Sequence, residues 1–410
     1  RAAGVRPART SSTICRLNSG VYRIDLTAIV DSSKTNHEVS TKPGQVQRGT
    51  MRRLLYAKMR HVSAGVAQQA QLEEATLRPE ISVILPVFNA EGTIAASVES
   101  VLQQSFNDFE LIAIDDGSTD RSGQILRSFR DPRIRVIEHQ SNRGLVAALN
   151  DGLQEAAGAL IARQDADDVS MPIRFALQRA VLAEEPRLGA VGAALQLVRD
   201  GTRSDVWSYP LSPTAARWQA LFKTPVAHSV AMFRRNCAMQ VGGYSETFKY
   251  AEDYDLWSRL LKVADIKSLP AALLNYSLDP AGISRSKSCE QRAVHCEIAA
   301  RNMQELLGTA VPPNIVRILA TDIDMGEVVD DRSEVIAAAS TCHSLFRAFV
   351  NLGAHGNDIG AVSADCRDRY LRLVRMLPLN RRPGAIREIR ALASSTAFGL
   401  VPILRALARP

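Results

Sequence analysis

The sequence predicts an α/β fold built on a parallel sheet covered by helices, and three observations carry that expectation. Apolar strand-like runs alternate with segments of helical periodicity from Ile81 to Asp168, the texture of successive βαβ units. Three of those runs end in polar or acidic turns, PVFN, DDGSTD and DADD, and open α/β sheets bind ligands beyond the carboxyl ends of their strands. At 410 residues and 46% hydrophobic, the chain can bury a large core, as one big domain with an appendage or as two domains.

The first fifty residues are rich in Ser, Thr, Arg and Gly, and VYRIDLTAIV is their only strand-like piece. The chain starts at Arg1 and its first methionine is Met51, so residues 1–78 are expected to be a basic, disordered extension whose first fifty residues are dispensable. From Ile81 the texture changes. ISVILPVFN reads as a buried strand, and AEGTIAASVESVLQQS follows with Ile94, Val98, Val101 and Leu102 at helical spacing. FELIAIDDGSTD is a second strand entering an acidic turn, RSGQILRSFR a helix, IRVIEHQ a strand, and GLVAALNDGLQEAAG a helix. ALIARQDADD then repeats the passage from strand to acid. This domain is expected to span 79–288. Residues 289–410 read as helical in EQRAVHCEIAARNMQELL and RDRYLRLVRMLPL, ending in the apolar, basic tail FGLVPILRALARP.

Charge is unevenly placed: residues 1–80 carry a net +7 and 367–410 a net +8, leaving −8 for the middle. The basic ends are either solvated or loosely associated with an anionic surface, a peripheral membrane contact being the version that suits a basic apolar tail. A nucleic-acid partner is not expected, for the basic ends lack interleaved aromatics. Six cysteines without a CxxC pair exclude a disulfide scaffold and suit a reducing, cytoplasmic location. No run reaches the roughly 18 apolar residues of a spanning helix. Walker, GxGxxG, HExxH and GxSxG motifs are missing, which leaves kinase-like, dinucleotide, zinc-protease and serine-hydrolase readings without their residues.

The stretch IARQDADDVSMP crowds Asp165, Asp167 and Asp168 at the end of an apolar segment. Such a cluster is either a solvated turn or a seat for something cationic. A second acidic pair, Asp115 and Asp116, at another strand end favours the latter, because both ends should meet in one crevice. Carboxylates one residue apart, Asp165 and Asp167, suit a hard divalent cation, Mn²⁺ or Mg²⁺, shared with diphosphate oxygens.

Taken together, ISVILPVFNAEGTIAASVESVLQQSFNDFELIAIDDGSTD, NRGLVAALNDGL, LIARQDADD and HSVAMFRRNCAMQVGGYSETFKYAEDYDLWSRL resemble family 2 glycosyltransferases over about residues 79–290. The resemblance implies a GT-A fold, a Rossmann-like nucleotide-diphospho-sugar transferase with a mixed sheet covered by helices. It further implies an inverting enzyme that uses a nucleotide diphosphate sugar and a divalent metal. The acceptor would be a glycan or lipid-linked, in cell-envelope polysaccharide assembly at the inner face of the plasma membrane.

By position, Pro86, Phe88 and Asn89 resemble the lip of the nucleotide-base pocket. Asp115 and Asp116 resemble a pair of which one bonds the base and the other supports the ribose. Asp165 and Asp167 match the DxD motif on the nucleotide and metal side, with Asp167 as direct metal ligand. Asp253 in AEDYDLW matches the aspartate that acts as general base, with Glu252 beside it. His228, Arg234 and Arg235 fall where the family's acceptor side is expected. The chain departs from the family at YSLDPAGIS, which keeps Tyr276 but has Ser277, Leu278 and Asp279 where relatives carry Arg-x-His; Ser284 or Arg285 is the expected substitute. A catalytically idle sugar-nucleotide-binding module is the rival reading, against which the intact Asp165, Asp167 and Asp253 speak.

Overall fold

The computed structural model describes residues 13–17 and 20–24, then 78–376 apart from 200, 279–287, 321–330 and 354–357, with 384 and 387 beyond. The chain divides into two compact units, 1–73 and 74–410. In the first, β1 (Thr13–Leu17) and β2 (Gly20–Ile24) pair antiparallel from Thr13↔Ile24 to Leu17↔Gly20. The strand read in VYRIDLTAIV thus begins as β2 and pairs with TICRL just before it. The rest of the expected N-terminal extension lies outside the described residues, as does the basic apolar tail.

The second unit is built on a nine-stranded mixed sheet. Four strands in the order β5 (Ile134–Glu138), β4 (Phe109–Asp115), β3 (Ile81–Val87), β6 (Leu160–Arg163) are parallel. Beyond β6 the sheet turns antiparallel at β10 (Met232–Arg234), then continues through β8 (Leu188–Arg199) and β11 (Asp265–Ser277) to the short β7 (Val169–Ser170). A hairpin strand, β9 (Thr202–Trp207), pairs with β8. All seven residues of β3 are buried, as befits a central parallel strand covered on both faces. Pro86 lies two residues past the last β3–β6 pair, Ile84↔Arg163, so its missing N–H costs nothing to that side of the ladder.

Alternate β3 residues face opposite layers. Ile84 packs with α3 (Leu145–Glu155) and α7 (Glu252–Leu260), whereas Val83 and Leu85 pack with α1 (Ile94–Leu102) and α4 (Arg174–Glu184). The helix expected after the first strand does bury Ile94, Val98 and Val101. Shorter helices α2 (Ser122–Ser128), α5 (Pro213–Gln219) and α6 (Arg235–Gln240) complete this part.

The predicted boundary at 288/289 is not a boundary of packing. Helices α8 (Ser288–Leu307), α9 (Pro313–Ala320), α10 (Arg332–Asn351) and α11 (Ile359–Arg375) share one apolar cluster with Trp218 of α5 and Phe222 just after it. The Trp218 indole N–H donates to Asp365 at 2.7 Å, and the Arg369 guanidinium lies 3.6 Å from the Phe222 ring centre. Burying one indole in such a cluster contributes about 2 kcal/mol or more, so the helices belong to the same unit. No described helix is long and apolar enough to cross a membrane.

Candidate active site

The exit of β3 is stitched to the turn after β4. Asn89 adopts a left-handed φ of 50°, a conformation Asn tolerates better than most residues. Its N–H donates to Ser118 Oγ at 3.1 Å, and its Oδ1 accepts the Thr119 N–H at 2.8 Å. Pro86 is buried behind this turn and Phe88 is 49% exposed ahead of it.

The two aspartates of DDGSTD do different things. Asp116 is saturated: Oδ1 meets His139 Nδ1 at 2.6 Å and the Arg143 N–H at 2.9 Å, and Oδ2 accepts the Gly144 N–H at 2.8 Å. His139 in turn reaches Asp151 at 3.0 Å through its other nitrogen. Asp116 therefore anchors the 139–144 loop beside the strand ends. Asp115 uses Oδ1 to accept the Ser118 N–H at 3.0 Å. Its Oδ2 lies over Gly123, where an added Cβ would overlap it. Gly117 holds a φ of +71°, and a Cβ there would sit 2.6 Å from the Ser141 carbonyl carbon. The loops meet too closely for any larger residue.

The three carboxylates after β6 separate as well. Asp167 is exposed and Asp165 partly so, while Asp168 is fully buried. Asp168 accepts the Ser277 N–H at 2.9 Å, which ties the acidic turn to β11. Burial, and then the charges of Asp165 and Asp167, push its carboxyl well above the usual carboxylate range. Beneath the turn lie two buried arginines. Arg163 Nη2 bonds Asp165 Oδ1 at 2.6 Å, and Arg174 bonds Gln164 Oε1 at 2.9 Å, Ser170 Oγ at 2.8 Å and the Arg163 carbonyl at 2.6 Å. Neither arginine was singled out from the sequence. The available signal was a charged residue directly continuing the buried run Leu160–Ala162.

Across from the acidic turn, α7 begins with Glu252 and Asp253. Glu252 is 6% exposed; burial, with Asp253 next to it, raises its carboxyl to about 7. Asp253 is half-buried and its carboxyl is raised by burial, against the opposing pull of His295, the Tyr254 N–H and the Thr224 hydroxyl, which is 3.4 Å from Oδ2. His228 Nε2 lies 2.9 Å from the Tyr244 hydroxyl. Burial and then the Arg163 charge hold its imidazole well below the usual histidine range, so it is neutral at physiological pH. The Arg163 charge also acts on Tyr244 and Glu252. One buried guanidinium thus bonds the turn after β6, and its charge reaches Glu252 at the start of α7, about ninety residues further along the chain.

Arg234 and Arg235 are not brought there. Antiparallel pairing sets Arg234 opposite Leu160, at the far end of β6 from the acidic turn. Its guanidinium caps the Leu182 and Leu188 carbonyls at 2.6 and 2.8 Å, and Arg235 caps the Leu153 and Gln154 carbonyls at 3.1 and 3.3 Å. Cations near a helix end satisfy its last carbonyls, and that structural role replaces the acceptor-side role expected. Asp279, Ser284 and Arg285 lie outside the described residues.

Among the described residues no three ligating side chains gather into a ready-made metal cage. Asp165 and Asp167 offer hard carboxylate oxygens of the kind that shares a Mg²⁺ or Mn²⁺ ion with phosphate. That donor set fits such an ion.

Residues 82–242 match the family described as Glycosyl transferase family 2. The chain is 36% identical over 190 residues to the putative glycosyltransferase EpsE of Bacillus subtilis, covering 45% of this chain and 67% of that protein. It is 30% identical over 249 residues to the O-antigen biosynthesis glycosyltransferase WbnJ of Escherichia coli, covering 58% and 93%. It is also 27% identical over 209 residues to the Escherichia coli UDP-Glc:alpha-D-GlcNAc-diphosphoundecaprenol beta-1,3-glucosyltransferase WfgD, covering 50% and 80%.

Proposed function

The chain belongs to glycosyltransferase family 2, and from that membership we propose that it transfers a sugar, with inversion, from a nucleoside diphosphate sugar to a glycan or lipid-linked acceptor in envelope polysaccharide assembly. The single observation that carries this reading is the buried Arg163, whose guanidinium bonds Asp165 of the DxD turn and whose charge acts on Glu252 beside Asp253. The lipid-linked acceptor is supported by the name of one relative, which acts on a diphosphoundecaprenol-linked sugar.

The division of labour follows from the hydrogen bonds. Asp116 holds the 139–144 loop and Asn89 is spent on Ser118 and Thr119, so Asp115 and the exposed Phe88 are the groups left for the base and ribose. A divalent cation on Asp165 and Asp167 would supply neutralisation of the leaving diphosphate. Asp253, pushed up by burial, takes the acceptor hydroxyl's proton. The acceptor oxygen then forms its bond to the anomeric carbon from the side opposite the breaking bond to the diphosphate, which departs with the electron pair. A positioned general base contributes about 10²–10⁴-fold.

The test is a screen of UDP-, GDP- and dTDP-sugars for protection against thermal unfolding, with and without Mn²⁺, followed by an assay of nucleoside diphosphate release. One nucleotide series should protect, and more strongly with Mn²⁺. No protection by any series would refute the reading, and protection with no turnover on any glycan or lipid-linked acceptor would make the chain a binding module.

A further inference from the structure

The acceptor side keeps only His228 of its expected residues, because Arg234 and Arg235 cap carbonyls elsewhere. An aromatic pair stands at the edge of that side. Trp207, the last residue of β9, and Tyr276, near the end of β11, have ring centroids 6.1 Å apart and planes inclined by 32°. Trp207 is 48% exposed, whereas the other two tryptophans of the chain, Trp218 and Trp257, are 2% and 0% exposed.

Strand register connects the pair to the acidic turn. β11 meets β7 antiparallel at Leu274↔Ser170 and Asn275↔Val169, so the next step brings Tyr276 level with Asp168. The Ser277 N–H donates to Asp168 at 2.9 Å in keeping with that register. On its other edge β11 pairs with β8, Tyr276 opposite Leu197, and β8 pairs with β9, Leu195 opposite Trp207. Paired and alternate residues share a face, so both rings stand on the face of Leu195 and Leu197. Tyr276 packs against the apolar cluster of those two leucines, which also holds Ala227 and Val230 on either side of His228. Because β9, β8, β11 and β7 are successive neighbours, the Trp207 strand lies about 14 Å from the strand that leaves the acidic turn.

We propose that Trp207 and Tyr276 form a stacking shelf for a sugar ring of the acceptor, with Trp207 as a residue that determines acceptor specificity. The inference rests on reading the chain as a glycosyltransferase, and deepens it by giving the acceptor's sugar a place to lie. One face of a pyranose ring presents C–H groups whose hydrogens are slightly positive, while its hydroxyls point outward and stay hydrated. An aromatic ring presents a negative face, so a sugar laid flat on it gains apolar contact and electrostatic attraction together. An aliphatic side chain of equal area offers no such face. A donor sugar is tethered at the acidic turn by its own diphosphate, so a shelf this far off suits the other substrate. β9 carries one arginine, Arg203, and one aspartate, Asp205, and so lacks the basic excess of a segment that binds anionic lipid.

Two measurements on the full chain test the shelf. Acrylamide, a neutral quencher in water, reaches the exposed Trp207 and not the two buried indoles, so quenching of tryptophan fluorescence reads this one side chain. The probes are cellobiose, lactose and N,N′-diacetylchitobiose, with UDP or GDP and Mn²⁺ filling the donor side. At least one disaccharide should shield Trp207, and Trp207→Phe should lose the signal. Shielding by none of them overturns the proposal, as does shielding by phosphatidylglycerol vesicles or by raised protein concentration in its place. The second measurement takes the acceptor found in the nucleoside diphosphate release assay. Trp207→Ala should raise its KM about tenfold, the scale of one aromatic contact, against an unmoved KM for the sugar nucleotide. Trp207→Leu should behave as Ala does and Trp207→Phe should recover most of the loss, since stacking needs a flat face and not apolar bulk. An unmoved acceptor KM in Trp207→Ala and Trp207→Leu overturns the shelf while glycosyl transfer stands. A disaccharide that shields Trp207 in a chain with no turnover on any acceptor upholds the sugar shelf and overturns the transferase reading.

Discussion

Replacing Glu252 with Gln should stabilise the protein, and more so as the pH rises. Glu252 is 6% exposed and its carboxyl is raised from 4.5 to about 7, first by burial and then by Asp253. Between those two values the folded chain holds a proton that the unfolded chain has released, so the carboxyl's penalty is small below pH 4.5. It grows through that window and is complete above pH 7. The separation of about 2.5 units corresponds to about 3 kcal/mol, at 1.36 kcal/mol per unit. Near pH 5 only about 1 kcal/mol of it is felt. Gln keeps the shape and carries no charge to desolvate. Asp168 and Asp253 are raised in the same direction, but they titrate in both proteins and largely cancel in the difference. Urea melts of Glu252→Gln and wild type at pH 5 and pH 8 check this. The advantage of the variant should be about 1 kcal/mol at pH 5 and about 3 kcal/mol at pH 8. An equal advantage at both pH values, or none at pH 8, would show that Glu252 is ionised in the folded protein and that burial does not govern the start of α7.

Asp253→Asn should bind the donor's nucleoside diphosphate as wild type does while transfer falls by ~10² or more; calorimetric titration beside initial rates separates the two. Glu252→Gln should cost less transfer than Asp253→Asn in the same assay. Asp167→Asn, at an exposed position, should leave the melting temperature of the free protein unchanged and abolish the part of nucleoside diphosphate protection that depends on Mn²⁺. An unchanged Mn²⁺ response would take Asp167 out of the metal site. Gly123→Ala drives a methyl into Asp115 Oδ2 and should weaken nucleotide affinity while costing about 1–3 kcal/mol of stability; a variant with wild-type affinity would remove Asp115 from the nucleotide site.

The parallel half of the sheet was legible because three of its four strands, β3, β4 and β6, are mostly apolar runs that end abruptly in polar residues, and the intervening helices repeat their apolar positions at helical spacing. The second half was not, and β10 shows why. It is three residues long, Met232–Arg234, and its place in the sheet is decided by pairing with β6 and β8. A strand that short has no periodicity to read. The same pairing explains Arg234 and Arg235. In sequence they follow His228 closely enough to be taken for one patch, yet an antiparallel strand carries them away from the acidic turn to the opposite end of β6. The C-terminal helices were legible as helices, but their attachment was not, since Trp218 and Phe222 read locally as part of the catalytic segment and only the fold shows that they pack with α8–α11.

The crowding of Asp165, Asp167 and Asp168 looks costly in the sequence because the charges that offset it are hidden in apolar surroundings. Arg163 is 1% exposed and Arg174 fully buried. An arginine so placed is tolerated only when its donors are satisfied and its charge is opposed. Arg174 meets Gln164, Ser170, Gln178 and the Arg163 carbonyl, and it feels Asp168 and Asp165 as its counter-charges. Arg163 bonds Asp165 through one terminal nitrogen and the Gln164 carbonyl through the other, its buried Nε has no hydrogen-bond partner among the described residues, and its charge acts on His228, Tyr244 and Glu252. Beneath three aspartates, two guanidinia therefore supply positive charge, one of them bonded to Asp165, while Asp167 is exposed and Asp165 partly so. That division of exposure is what a shared ion and a diphosphate require: carboxylate oxygens held in place from below and open above.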